Sequence, residues 1–108
     1  MYKTYKDYCE NELGYKVLYT FYEDFTIADR FGPKAVKETY ARVLKDAKIM
    51  GYKALTELTM VLNHKIWFLY KSNKPLAQLY NELWEKTEDY CYDNLKGDEL
   101  TYFYHTLD

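Results

Sequence analysis

The sequence predicts an all-α fold, a compact bundle of five to six helices with a central antiparallel pair at about residues 52–72 and 75–95. Three observations predict it. Apolar residues recur every three to four positions along most of the chain, the period of an amphipathic helix. The four glycines, Gly14, Gly32, Gly51 and Gly97, fall between those periodic segments, where glycine stops helices. Two prolines and a single serine, Ser72, leave little material for the turns of a β-sandwich. The 108 residues fit one domain over residues 1–108, with no linker or internal repeat dividing it.

The first helix is expected over residues 2–13, where Tyr2, Tyr5, Tyr8 and Cys9 share a face. Residues 14–19 stay open between strand, loop and helix, because Tyr15, Val17 and Tyr19 alternate. Thr20 and Glu23 form a capping-box signature, and the helix they open buries Phe21, Phe25, Ala28 and Phe31 before Gly32. Pro33 suits the first turn of a third helix, which buries Val36, Tyr40, Val43, Leu44 and Ala47. The fourth gathers Leu55, Leu58, Leu62, Ile66 and Leu69 on one side. Its other side is mixed, with Lys53, Glu57, Met60, His64, Trp67 and Lys71. Asn73 caps the fifth, with Pro75 in its first turn. That helix buries Leu76, Leu79, Tyr80, Leu83, Thr87, Tyr90 and Asn94. Asp98 opens a last short helix to about Thr106.

Composition narrows the function classes. Tyrosine is the outlier at 14 residues, and it suits core edges and contact surfaces alike. The start, MYKTYKDYCENEL, lacks the apolar stretch of a signal peptide, and no apolar run is long enough to span a bilayer. A cytoplasmic protein without a membrane partner is expected. Cys9 and Cys91 then read as two reduced thiols. With His64 and His105 scattered, no ligand spacing supports a zinc site. Phosphate-binding glycine loops, nucleophile elbows and metalloprotease motifs are missing, so neither an enzyme nor a cofactor is expected. A Cys–His pair brought together in space stays open, against the commoner buried structural thiol. Met60 and Trp67 beside His64 read either as a second core contact or as a partner-binding spot.

The formal net charge of −2 is unevenly spread: residues 1–31 carry −2, residues 32–80 carry +6 and residues 81–108 carry −6. On the fifth helix Glu82, Glu85, Asp89 and Asp93 fall within an arc of about 80°, in a row about 16 Å long. Like charges at this spacing repel, so the row costs its own helix some stability. It reads as a partner-binding face resembling a row of phosphates, as an ordinary solvated face, or as the counterpart of the basic middle of the chain. On the third helix Lys34, Lys37, Lys45 and Lys48 share a basic face. The text IADRFG-PKAVKETYARVL has the rhythm of a helix-turn-helix. Its later apolar positions are about one residue out of register, and Glu38 sits in the helix that would read bases.

Three stretches, FYEDFTIADRFG (21–32), LTELTMVLNHKIW (55–67) and DNLKGDELTYFYHTLD (93–108), together resemble a family of small proteins carried on plasmids, integrative elements and phages of Firmicutes. The resemblance covers most of the chain beyond residue 20 and transfers no functional residue. It implies, by genomic company, an inhibitor of host defence such as an anti-CRISPR protein against type II Cas9. The leading expectation is therefore a non-enzymatic inhibitor that binds Cas9 or its guide RNA complex, through the acidic row or the basic face. The alternatives are a DNA-binding regulator using the 20–48 helix pair, and a homo-oligomer whose basic and acidic regions pair between subunits.

Overall fold

The computed structural model describes residues 2–107 as six α-helices with no strand among them. Met1 and Asp108, the ends of the expected 1–108 domain, lie outside the described residues. The helices are α1 (Tyr5–Tyr8), α2 (Phe21–Asp29), α3 (Pro33–Met50), α4 (Tyr52–Leu69), α5 (Lys74–Asn94) and α6 (Asp98–Leu107). The expected bundle is therefore present, with the antiparallel α4–α5 pair sharing the most extensive contact. Among the described residues no helix is long and apolar enough to cross a membrane.

Local chemistry sets most boundaries. Asn73 Oδ1 accepts the Leu76 amide at 3.2 Å and caps α5, with Pro75 in the first turn. Pro33 opens α3 behind Gly32, whose φ of 98° a side chain would resist. α4 and α5 stop at Leu69 and Asn94, slightly inside the expected limits.

Four expectations are corrected, and the stretch left open at residues 14–19 is settled as a loop. The first helix begins at Tyr5, not residue 2, and widens after Tyr8 into a π-helical turn over Cys9–Leu13 that Gly14 closes at φ 64°. Tyr5 and Cys9, one α-helical turn apart, both point inward. Residues 15–19 form neither strand nor helix; they are an irregular strap laid over α4. Thr20 caps nothing: at φ −103° and ψ 24° it lies outside the extended region that aims a capping hydroxyl, and only its carbonyl joins the helix, accepting from Asp24. Phe31 is 75% exposed, because α2 ends at Asp29 and the helical register no longer holds. Asn94 is exposed and donates to the Tyr90 carbonyl, while Cys91 and Leu95 fill the core there. Leu44 and Tyr90 are half-buried.

The core lies where α2, α3 and α5 converge on α4. Phe25 and Tyr80 meet edge to face at 5.6 Å, with Val36, Val43, Leu58 and Leu62 around them. Phe103 of α6 closes one end. Burying aromatic rings whose hydroxyls find partners is how a tyrosine-rich chain builds a core without orphaned polar atoms. Tyr40 and Thr87 share a buried hydrogen bond at 2.9 Å between α3 and α5.

Candidate functional site

The acidic row lies where the helical period puts it. Glu82, Glu85, Asp89 and Asp93 are all exposed on α5, opposite its buried face of Leu76, Tyr80, Leu83, Thr87 and Cys91. Among the described residues the ion pairs are Lys6–Glu10, Arg42–Asp24 and Lys65–Asp29, so no cation neutralises the row. Its one side-chain partner is neutral: Asn81 Nδ2 donates to Glu85 at 3.1 Å. Beside the row, burial holds the carboxyl of half-buried Glu88 above the usual carboxylate range, and the charges of Asp89 and Glu85 add to the effect.

The basic face is equally exposed. Lys34, Lys37, Lys45 and Lys48 follow one side of α3, and none of them pairs with the acidic row. Lys48 lies over the Tyr90 ring of α5 at 4.3 Å, a cation–π contact that ties the end of the stripe to its neighbour. The two stripes therefore do not neutralise each other within the molecule.

A third surface was not legible as a unit. One flank of the α4–α5 pair is grooved at two successive places. The larger groove, about 430 Å³, lies among Ile66, Tyr70, Ala77, Gln78, Asn81 and Glu82 with Lys74 at its end. The smaller, about 130 Å³, lies farther along among Asn63, Trp84, Glu88, Tyr92 and residues of α6. Trp67, which sequence reasoning placed beside His64, is 68% exposed, whereas Met60 is buried and His64 half-buried. The expected trio thus splits between core and surface.

Charged groups also sit inside the protein. Lys65, buried on α4, pairs with Asp29 of α2 at 2.5 Å, and the Tyr80 hydroxyl donates to the same carboxylate. The Lys65 ammonium also lies 4.8 Å from the centre of the Tyr22 ring and donates to Thr26 at 3.3 Å. Glu57 is fully buried. It accepts from the Tyr15 hydroxyl at 2.8 Å, the Leu18 amide at 2.8 Å and the Tyr19 amide at 2.9 Å. Burial raises its carboxyl above 4.5, although all three hydrogen bonds work against that shift. The signal was present: Glu57 is the single acidic residue of Tyr52–Leu69 and is flanked by leucines and threonines.

Tyr5 hydrogen-bonds His64 Nδ1 at 2.6 Å and stacks on Tyr22 at 4.1 Å, while burial lowers the imidazole below 6.5. Cys9 and Cys91 are buried and free. Burial pushes the Cys91 thiol up to about 11 and raises the Cys9 thiol as well, so both stay protonated and poorly nucleophilic. Among the described residues no three His, Cys, Asp or Glu side chains come together as a metal site.

The chain matches no protein-family model, no curated protein and no solved structure. What the surface can do follows from its own chemistry: it presents an uncompensated carboxylate row, a separate lysine stripe, and a groove with aromatic rings along the first.

Proposed function

We propose that this chain is a non-enzymatic inhibitor of a host defence nuclease, an anti-CRISPR protein that binds Cas9 or its guide RNA complex in the cytoplasm and blocks guide loading or target DNA binding. The observation that carries the reading is the acidic row. Glu82, Glu85, Asp89 and Asp93 stand exposed, without a countercharge among the described residues, on a helix anchored along its opposite face. Carboxylates fixed in a row about 16 Å long offer a lysine- and arginine-lined groove the charge pattern it uses to hold phosphates. A rigid helix loses little entropy on binding, which favours stoichiometric inhibition.

The test is cleavage of a target plasmid by Cas9, with the protein added before or after guide RNA. Block in both orders, lost on changing Glu82, Glu85 and Asp89 to lysine while the helical circular-dichroism signal persists, is the expected result. Undiminished inhibition by that triple variant removes the row from the mechanism.

A second reading rests on α3. Lys34, Lys37 and Lys45 are exposed along one face behind the Gly32–Pro33 corner, the arrangement of a helix that lies on a phosphate backbone. It calls for salt-dependent duplex binding, which the same three lysines changed to glutamate would abolish. A homo-oligomer pairing the two stripes between subunits is separated from both by light scattering.

A further inference from the structure

We propose that the larger groove between α4 and α5 is a nucleotide site, which takes an unpaired, amino-bearing base with its phosphate at the α4–α5 corner. The site goes beyond the acidic-row reading and does not depend on it.

The groove runs between two short rows of side chains. Ile66 and Tyr70, one turn apart, form its α4 wall. Lys74, Gln78 and Glu82 follow at i, i+4 and i+8 along α5 and form the other, with Ala77 and Asn81 beside them. Its volume of about 430 Å³ falls in the range of roughly 300–1,000 Å³ typical of small-molecule sites. The lining changes character from end to end. A lysine stands at the corner and a carboxylate stands eight residues on, about 12 Å along the axis. Two amides lie between them, with Ile66 and Ala77 as apolar surface. A helix of either charge would meet a like charge at one end of this groove. The ligand that fits carries negative charge at one end, hydrogen-bond donors at the other and a flat apolar body between. A nucleotide has that build, since an exocyclic amine on the base edge donates to a carboxylate and a phosphate pairs with lysine.

The groups that would meet it are free to do so. Tyr70 is 53% exposed, and among the described residues no ring packs on it. The Lys74 ammonium lies 6.0 Å from the centre of its ring, so a stacking surface and a phosphate contact stand side by side. Gln78 has no hydrogen-bond partner among the described residues. Asn81 donates Nδ2 to Glu85 and keeps Oδ1 as an acceptor. Trp67, three residues before Tyr70, is 68% exposed and also lacks a ring contact among the described residues, so it offers a second face to the next base of a strand.

Charge places the phosphate at the corner. Residues 58–81 contain no Asp or Glu, and Lys71 and Lys74 are exposed there. Glu85, Asp89 and Asp93 begin about 16 Å farther along α5 than Lys74, beyond the Debye length of about 8 Å at physiological salt. Glu82, first of the acidic row, meets the base and not the phosphate.

The experiment measures the fluorescence anisotropy of labelled cytidylate and uridylate octamers with the full chain at about 50 mM salt, where phosphate attraction is strong. The two differ at one edge, where cytosine presents an amino group and uracil a carbonyl. The cytidylate octamer is expected to bind ~5-fold tighter or more. Tyr70→Ala, at an exposed position outside the core, is expected to weaken it ~10-fold. Glu82→Ala is expected to erase the preference, and Lys74→Ala to weaken both octamers alike. Circular dichroism checks that each variant keeps its helices. Equal binding of the two octamers by the wild type overturns the site, because charge and stacking alone then suffice. So does an unchanged affinity in Tyr70→Ala, or binding of neither octamer. Binding of neither, with sedimentation of the chain on phosphatidylserine vesicles, gives the exposed Trp67–Lys74 corner to a membrane surface instead. Competition by cytidine monophosphate separates two sources of the same chemistry. A mononucleotide as tight as the octamer supports a free nucleotide as the ligand. An octamer ~10-fold tighter, with that gain lost in Trp67→Ala, supports a single strand.

Discussion

The charges inside this protein and the charges on its surface follow opposite rules. Lys65, Asp29 and Glu57 are buried or nearly so, and each meets partners from another part of the chain. Glu82, Glu85, Asp89 and Asp93 lie in the open and meet no cation among the described residues. Inside, an unmatched charge would endanger the fold, so every one is matched. Outside, water tolerates the mismatch, so an unmatched row costs little. The difference separates residues that hold the architecture from residues available for recognition.

The largest expected effect breaks the interior side of that contrast. Lys65→Met leaves the Asp29 carboxylate without its cation and should cost about 3–5 kcal/mol in urea unfolding. Lys65→Met combined with Asp29→Leu should recover most of the loss, because the charge is then removed with its partner. Full additivity of the two single losses would show that they are not coupled.

Next comes Glu57. Glu57→Leu strands the Tyr15 hydroxyl and the Leu18 and Tyr19 amides, a loss of about 3 kcal/mol with the strap released. Glu57 also makes a pH prediction. Its folded-state carboxyl is raised above 4.5, so between 4.5 and that higher value the native state holds more protons than the unfolded one. Stability from this group therefore rises as pH falls through its folded value and levels off below 4.5. Denaturation midpoints across that window, compared with Glu57→Gln, should show the increment in the wild type alone.

The smallest effect sharpens the surface side. Changing Glu85 and Asp89 to lysine relieves like-charge repulsion along α5 and should shift stability by no more than about 0.5 kcal/mol, in the stabilising direction at low salt. A loss of several kcal/mol would place these carboxylates among the structural residues and dissolve the contrast.

How far this was legible in the sequence follows the same division. Helix number, the Gly–Pro corner at residues 32–33 and the Asn73 cap are local chemistry, and local chemistry was readable. The acidic and basic stripes depend only on helical period and stayed where the period put them. Thr20 misled because a capping hydroxyl needs a backbone angle that composition does not reveal. Glu57 was assigned to the mixed side of α4, which would have been exposed had the strap not crossed over it; that crossing joins residues 38–42 positions apart. The groove beside Ile66 and Ala77 escaped notice because it belongs to two helices at once, and neither carries it alone.

The strap over Glu57 also bears on how the chain matures during synthesis. Leu18 and Tyr19 leave the ribosome first, yet the carboxylate that receives their amides is made 38 residues or more later. Tyr5 likewise waits for His64. Residues 2–19, rich in tyrosine, therefore cannot take their final contacts on α4 until residues 57–64 have been made.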